Sequence, residues 1–185
     1  MKNQELFITL HHISKNNLLT TVQKQTLKRM AQIQTLDDTD IRILRELQQN
    51  SRLTNKELAA RIHLSTTPTF ERHRRLEREG YIKMYTAIVD ADRIDLGFTV
   101  YCNIGFKQIN RSLTDEFREQ VNGWDEVTEC YNVSGDFDFI MKVSVQGMKE
   151  YQEFILHKVG ALEYVSRIQS IFVMETLKQS YGVRL

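Results

Sequence analysis

Groups able to bind a partner are concentrated in one run, Ser65-Thr66-Thr67-Pro68-Thr69-Phe70-Glu71-Arg72-His73-Arg74-Arg75-Leu76-Glu77-Arg78-Glu79. Hydroxyls open it and guanidinium groups fill its second half. Hydroxyls and unpaired amides at a helix N-terminus hold phosphate oxygens, and arginine forks match phosphates or guanine edges. At 100° per residue, Thr69, His73 and Leu76 share one side with Phe70 at its edge. Glu71, Arg74 and Arg75 lie opposite, flanked by Arg72. Arg72, Arg74 and Arg75 are expected to lead the contacts to double-stranded DNA, with Arg78 behind them. Ser65, Thr66, Thr67 and Thr69 are expected to fix register on phosphates. A solvated face is the plainer alternative, with Glu71–Arg75 attracting and Arg74–Arg78 repelling. His73 takes an inward position that usually holds an aliphatic residue, so a hydrogen-bonded core histidine is expected.

Asp136 and Asp138 form a second cluster. Two apart on a strand, they would face one side, suited to acid–base work, to an ammonium group or to water. His11-His12 offers no third ligand at a useful spacing, and adjacent histidines point apart, so no metal site is expected. The sequence contains no P-loop, paired CxxC, HExxH helix or GxSxG elbow, so no catalytic residue or cofactor is expected.

The elements around these residues decide between the alternatives. Leu36-Asp37-Asp38-Thr39-Asp40-Ile41 opens a helix, with Asp37 as cap, acids against the dipole and a Leu36/Ile41 staple. Thr54-Asn55-Lys56-Glu57 is a capping box for a second helix stopping near His63. A third is expected with Thr67 as cap, Pro68 at its first position and Gly80 in the left-handed C-terminal position. Helices this close suggest a helix-turn-helix, which favours DNA over bare solvent. His63 falls in the interhelical turn, where a left-handed backbone favours glycine. Tyr81–Asp90 then turns extended, as a wing or short strand pair would.

Beyond a linker at 91–97 the period changes. Phe98, Val100, Cys102, Ile104 and Phe106 alternate with polar or small residues, and Leu113, Phe117 and Val121 repeat at helical spacing. Strands follow around Val127–Val133, Phe137–Val145 and Ile168–Met174, with a helix carrying Met148, Tyr151, Ile155 and Val159 before the last. The order β-α-β-β-α-β is the split ferredoxin-like arrangement, with helices on one sheet face and the other free for a partner.

Composition sets outer bounds. Of 185 residues, 41% are hydrophobic and 26% charged, an ordinary globular balance. No run of 18 uncharged apolar residues occurs, so no membrane span is expected. The first 30 residues lack the apolar core of a secretory signal, which points to a cytoplasmic chain whose two cysteines, Cys102 and Cys130, are reduced thiols. Net charge is +4 over 1–35, +1 over 36–90 and −4 over 91–185, a division between an anion-facing part and another part.

These residues resemble the Lrp/AsnC, or feast/famine, transcription factors. The resemblance spans about 36–180 and rests on Leu36-Asp37-Asp38-Thr39-Asp40-Ile41-Arg42-Ile43-Leu44, Leu64-Ser65-Thr66-Thr67-Pro68, Arg75-Leu76-Glu77-Arg78-Glu79-Gly80-Tyr81-Ile82 and Ser134-Gly135-Asp136-Phe137-Asp138. It implies an α+β chain: an N-terminal winged helix-turn-helix over 36–90 and a C-terminal ferredoxin-like βαββαβ sandwich over 98–185 that binds an amino acid and assembles the chain. The implied assembly is a homodimer extending to a tetramer or octamer. Carried over by position, Gly135, Asp136, Phe137 and Asp138 fall in the effector pocket: glycine permits close backbone approach and a carboxylate can pair with an α-ammonium group. Phe137 stands where the family usually has tyrosine, and His63 and His73 where it has glycine and an aliphatic residue. The first 35 residues match nothing in the family; residues 1–29 are either an upstream extension not always translated or an extra basic helix. Two other readings remain at this point: a sirohaem-decarboxylase-like enzyme, disfavoured by the acidic C-terminal half with its single His157, and an assembly protein that has lost DNA binding.

Overall fold

A computed structural model describes residues 36–185; His11-His12 and both readings of the N-terminal segment lie outside the described residues. The chain divides into two units, one reaching to Thr86 and taking in Ser180–Leu185, the other Ala87–Gln179.

The first unit contains α1 (Asp38–Gln49), α2 (Asn55–Arg61) and α3 (Thr66–Arg78). Two reciprocal capping boxes start α1 and α2. The Asp40 amide donates to the Asp37 carboxylate at 2.9 Å while the Asp37 amide donates to Asp40 at 3.2 Å. Thr54 and Glu57 exchange the same pair of bonds. Each box satisfies two amides that a helix start leaves bare. Ile43, Leu44, Leu47, Leu58, Ile62 and Leu76 then close a core between the three helices. Each such side chain contributes about 1.5–3 kcal/mol on burial.

The third helix begins earlier than its sequence suggests. Ser65, not Thr67, is the cap residue, so Pro68 is third in the helix rather than first. Its missing N–H is still among the donors with no partner in the first turn, so no helical bond is lost. The C-terminus agrees with expectation: Gly80 has φ +76, its amide donates to Glu77 O at 3.0 Å, and the Tyr81 amide donates to Leu76 O at 2.9 Å. This is a Schellman closure. His63 does adopt the left-handed backbone, φ 57. Lys83–Asp90 forms neither helix nor strand ladder among the described residues, and Met84, Ile88 and Val89 stay exposed.

The second unit runs β1 (Phe98–Phe106), α4 (Arg111–Asn122), β2 (Val127–Asn132), β3 (Phe139–Val145), α5 (Met148–Phe154), a wide turn over Ile155–Val159 and β4 (Val165–Phe172). The sheet is antiparallel in the order β2-β3-β1-β4. Inward residues alternate along β1 and β3 and meet Phe117, Val121, Trp124, Tyr151, Phe154 and Val159 in one core. Several boundaries differ from the sequence reading: β2 stops at Asn132 rather than Val133, and β4 at Phe172 rather than Met174. Asp136 and Asp138 precede β3 instead of lying in it, and β4 begins at Val165 because a register shift at Gly105/Phe106 brings Val165 opposite Phe106. No helix among the described residues is long and apolar enough to cross a membrane.

Candidate functional site

The arginines of α3 divide into two sets. Asp40 lies on α1 with its side chain only 1% exposed, and a buried carboxylate is costly unless paired. Arg72 Nη1 donates to Asp40 Oδ1 at 3.0 Å and to Asp37 Oδ2 at 2.5 Å, and Arg75 Nη2 donates to Asp40 Oδ2. Asp37 and Asp40 hold the Arg72 guanidinium even more firmly protonated than usual. Arg72 and Arg75 therefore each give one Nη to bracing α3 against α1, with their side chains still 33% exposed, which gives both a structural role beside the expected DNA contact. Thr69 is corrected: it is fully buried, and its hydroxyl donates to Ser65 O at 2.9 Å, back along its own helix.

The outward face is left to Thr66, Thr67, Phe70, Glu71, Arg74 and Arg78. Glu71 and Arg74 have no hydrogen bond or ion pair among the described residues, so the expected Glu71–Arg75 pair is replaced by Arg75–Asp40. Arg78 approaches Glu79 only at 3.8 Å. Ser65 is exposed at the cap and its side chain makes no capping bond. His73 is part-buried and bonded on both nitrogens, Nδ1 to Asn55 Oδ1 at 3.1 Å and Nε2 to the Tyr85 hydroxyl at 2.6 Å. The Tyr85 hydroxyl donates to Glu77 at 2.9 Å, and burial followed by Glu77 raises its pKa. The histidine thus ties α2, α3 and the segment after α3 together.

In the second unit, Ser134–Asp138 forms a pinned turn. Gly135 has φ +133, a backbone that side chains rarely adopt. Asp138 is used structurally: its carboxylate accepts from the Phe106 amide at 2.7 Å and its amide donates to Ile104 O at 2.9 Å. Asn132 holds the Asp138 carbonyl at 2.8 Å. Asp136 is exposed, and since neither aspartate lies in a strand, the strand alternation behind the same-side expectation does not apply. Arg167 of β4, which no sequence signal singled out, donates to Asp136 O and lies 4.9 Å over the Phe137 ring. It runs across Gly105, where a Cβ would come within 3.2 Å of its Nε. The Arg167 guanidinium thus lies against the turn that carries the exposed Asp136 carboxylate. No group of three metal-ligating side chains occurs among the described residues.

A short helix presenting a polar and cationic face from a three-helix unit, in a chain that also carries an α/β sandwich, defines a helix-turn-helix DNA-binding protein with a separate ligand-binding domain. Family models agree: winged helix-turn-helix DNA-binding matches residues 36–83, and the Lrp/AsnC ligand binding domain matches 99–183. The leucine-responsive regulatory protein of Escherichia coli K12 is 38% identical over 145 residues, covering 78% of this chain and 88% of that protein. A transcriptional regulator from Neisseria meningitidis, solved as a complex with L-Met, superposes with a TM-score of 0.78 at 31% identity, over 81% of this chain and 97% of its own. An AsnC family regulator from Agrobacterium tumefaciens gives 0.77 at 31%, over 80% and 97%. The chain belongs to the Lrp/AsnC family and is a DNA-binding transcriptional regulator.

Proposed function

We propose that the chain is a cytoplasmic, non-catalytic regulator whose α3 enters the major groove and whose operator affinity responds to an amino acid. The observation that carries the DNA contact is the division of α3: Arg72 and Arg75 are braced on Asp37 and Asp40, which leaves Arg74 and Arg78 unbraced on the outward face. Arg74 leads the contact, Arg78 reaches phosphates, and Ser65, Thr66 and Thr67 set register. The effector lies on the Ser134–Asp138 turn, its α-ammonium on the Asp136 carboxylate and its carboxylate on Arg167. Gly135 admits the close approach, Phe137 with its guanidinium partner forms a wall, and Asp138 holds the turn in place. The Neisseria relative's complex with L-Met supports a ligand of this class. Dimers form through the sheet face that carries no helices, and associate further into tetramers or octamers. A two-fold dimer reads half-sites about 34 Å apart, or a multiple of that.

The experiment is operator selection from random duplexes at fixed salt, repeated with each of the twenty amino acids, on protein of measured mass. One or a few amino acids should shift affinity about 5–150-fold, the usual range of allosteric coupling. Asp136→Ala and Arg167→Ala should abolish the shift and keep basal DNA binding. A shift that survives both substitutions places the effector elsewhere.

A further inference from the structure

We propose that Phe70 is the residue with which α3 reads a thymine, by packing on the 5-methyl group of that base. The inference rests on α3 as the groove-reading helix and names what one position of it recognises. Phe70 is 41% exposed, although the sequence places it at the edge of the inward side. The core of the first unit closes on Leu76 and the residues of α1 and α2 without its ring. Taking Thr67 as the reference direction, Arg74 lies about 20° and Phe70 about 60° to one side, with Arg78 about 20° and Glu71 about 40° to the other, at 100° per residue. Phe70 thus shares the outward stripe with the groups that meet DNA. It sits in the N-terminal half of α3 (Thr66–Arg78), the half of a recognition helix that contacts base edges.

The chemistry of the groove selects the target. Major-groove edges present hydrogen-bond donors and acceptors, to which a phenyl ring offers nothing, and one prominent apolar group, the thymine methyl. Arg74, four residues on and without a partner among the described residues, can hold a phosphate or a guanine beside it. Arg72 and Arg75, turned onto Asp37 and Asp40, do not compete for the same space.

The test uses the full chain and a duplex selected at fixed salt, with each thymine of each half-site replaced in turn by deoxyuridine, which removes the methyl alone. Wild-type protein should show one position per half-site where deoxyuridine weakens binding about fourfold, the worth of one buried methyl-sized group. Substituting both half-sites should weaken it by about tenfold or more, since separated positions add. Phe70→Ala should bind the thymine duplex more weakly and lose the distinction at that position, while Phe70→Leu keeps it. An unaltered melting curve shows that both variants are folded. Wild type indifferent to deoxyuridine everywhere, or Phe70→Ala as sensitive as wild type, overturns the proposal. If Arg74→Ala and Thr67→Ala also bind as wild type does, with an unchanged salt slope, it is the placement of α3 in the groove that fails.

Discussion

Asp40 stands in line with Ile43, Leu44 and Leu47, the positions at which α1 meets the core. An acid on an apolar stripe needs a cation, and here it takes two, Arg72 and Arg75 of α3. Removing the charge leaves Arg72 and Arg75 without their shared partner. Asp40→Asn should cost the first unit about 2–3 kcal/mol, below the 3–5 of a fully buried pair because both guanidiniums reach solvent. Thermal melting checks this. The division also separates two substitutions that look alike in sequence. Arg74→Ala should weaken operator binding and reduce the salt slope by about 1, with the melting temperature unchanged. Arg72→Ala should lower the melting temperature first. Asp37 adds a pH dependence. The Asp40 amide, and after it Arg72, hold its carboxyl below the ordinary aspartate range. A carboxyl depressed in this way stabilises the fold above its unfolded pKa, about 3.9, and the contribution is lost as pH falls through the lower folded value. The first unit should therefore weaken below about pH 4. Asp37→Ala should flatten that acid limb and, at neutral pH, cost about 1 kcal/mol for the lost cap.

Between α2 and α3 the chain turns on His63, a residue with a Cβ in a left-handed backbone. Replacing it with glycine relieves that conformation and should stabilise the unit by about 1 kcal/mol with no change in DNA affinity. Denaturant melts and operator titration test the two halves of that expectation. The turn was legible because the helices on either side announce themselves: a capping box at Thr54/Glu57, a Gly80 closure and apolar residues at helical spacing leave His63 nowhere else to be. The strands were legible for a similar reason, since the alternation in β1 and β3 follows from one buried face. Local signals failed where tertiary contacts ruled. Pro68 suggests a helix start two residues too late because proline is tolerated anywhere in the first turn. Arg75 chose Asp40 on another helix over Glu71 on its own. Arg167 reaches the Ser134–Asp138 turn only through β1–β4 pairing opposite Gly105, which no spacing in the sequence reveals. The docking of Ser180–Leu185 on α1 was equally hidden. Gln48 brackets the Val183 backbone with bonds of 2.5 and 3.2 Å, and a Cβ on Gly182 would sit 2.7 Å from Gln48 Oε1.

At the scale of the whole molecule, the sheet has one face packed on helices and one without them. Two rows cross the uncovered face from β4 to β2. Strand register sets Ile171, Tyr101, Lys142 and Glu129 in one, and Gln169, Asn103, Ile140 and Tyr131 in the other. Tyr101, Tyr131 and Ile171 are 40%, 55% and 48% exposed, too much apolar surface gathered on one flat face to be scattered chance. Lys142 is matched by Glu129 at 3.3 Å and Asn103 by Gln169 at 2.9 Å, so the face carries no uncompensated charge within these rows. The dimer proposed above would bury this face against the same face of a second copy related by a two-fold axis. Tyr101→Asp combined with Ile171→Asp would set like charges facing one another in that contact. Sedimentation should then give half the mass found for the wild-type protein, with α3 still folded by circular dichroism. Operator binding should fall by about a hundredfold or more, because two half-sites held by one dimer gain from effective concentration and two separate monomers do not. If the mass is unchanged, the dimer is built on another surface; if the mass halves and affinity does not move, the operator is read by one protomer.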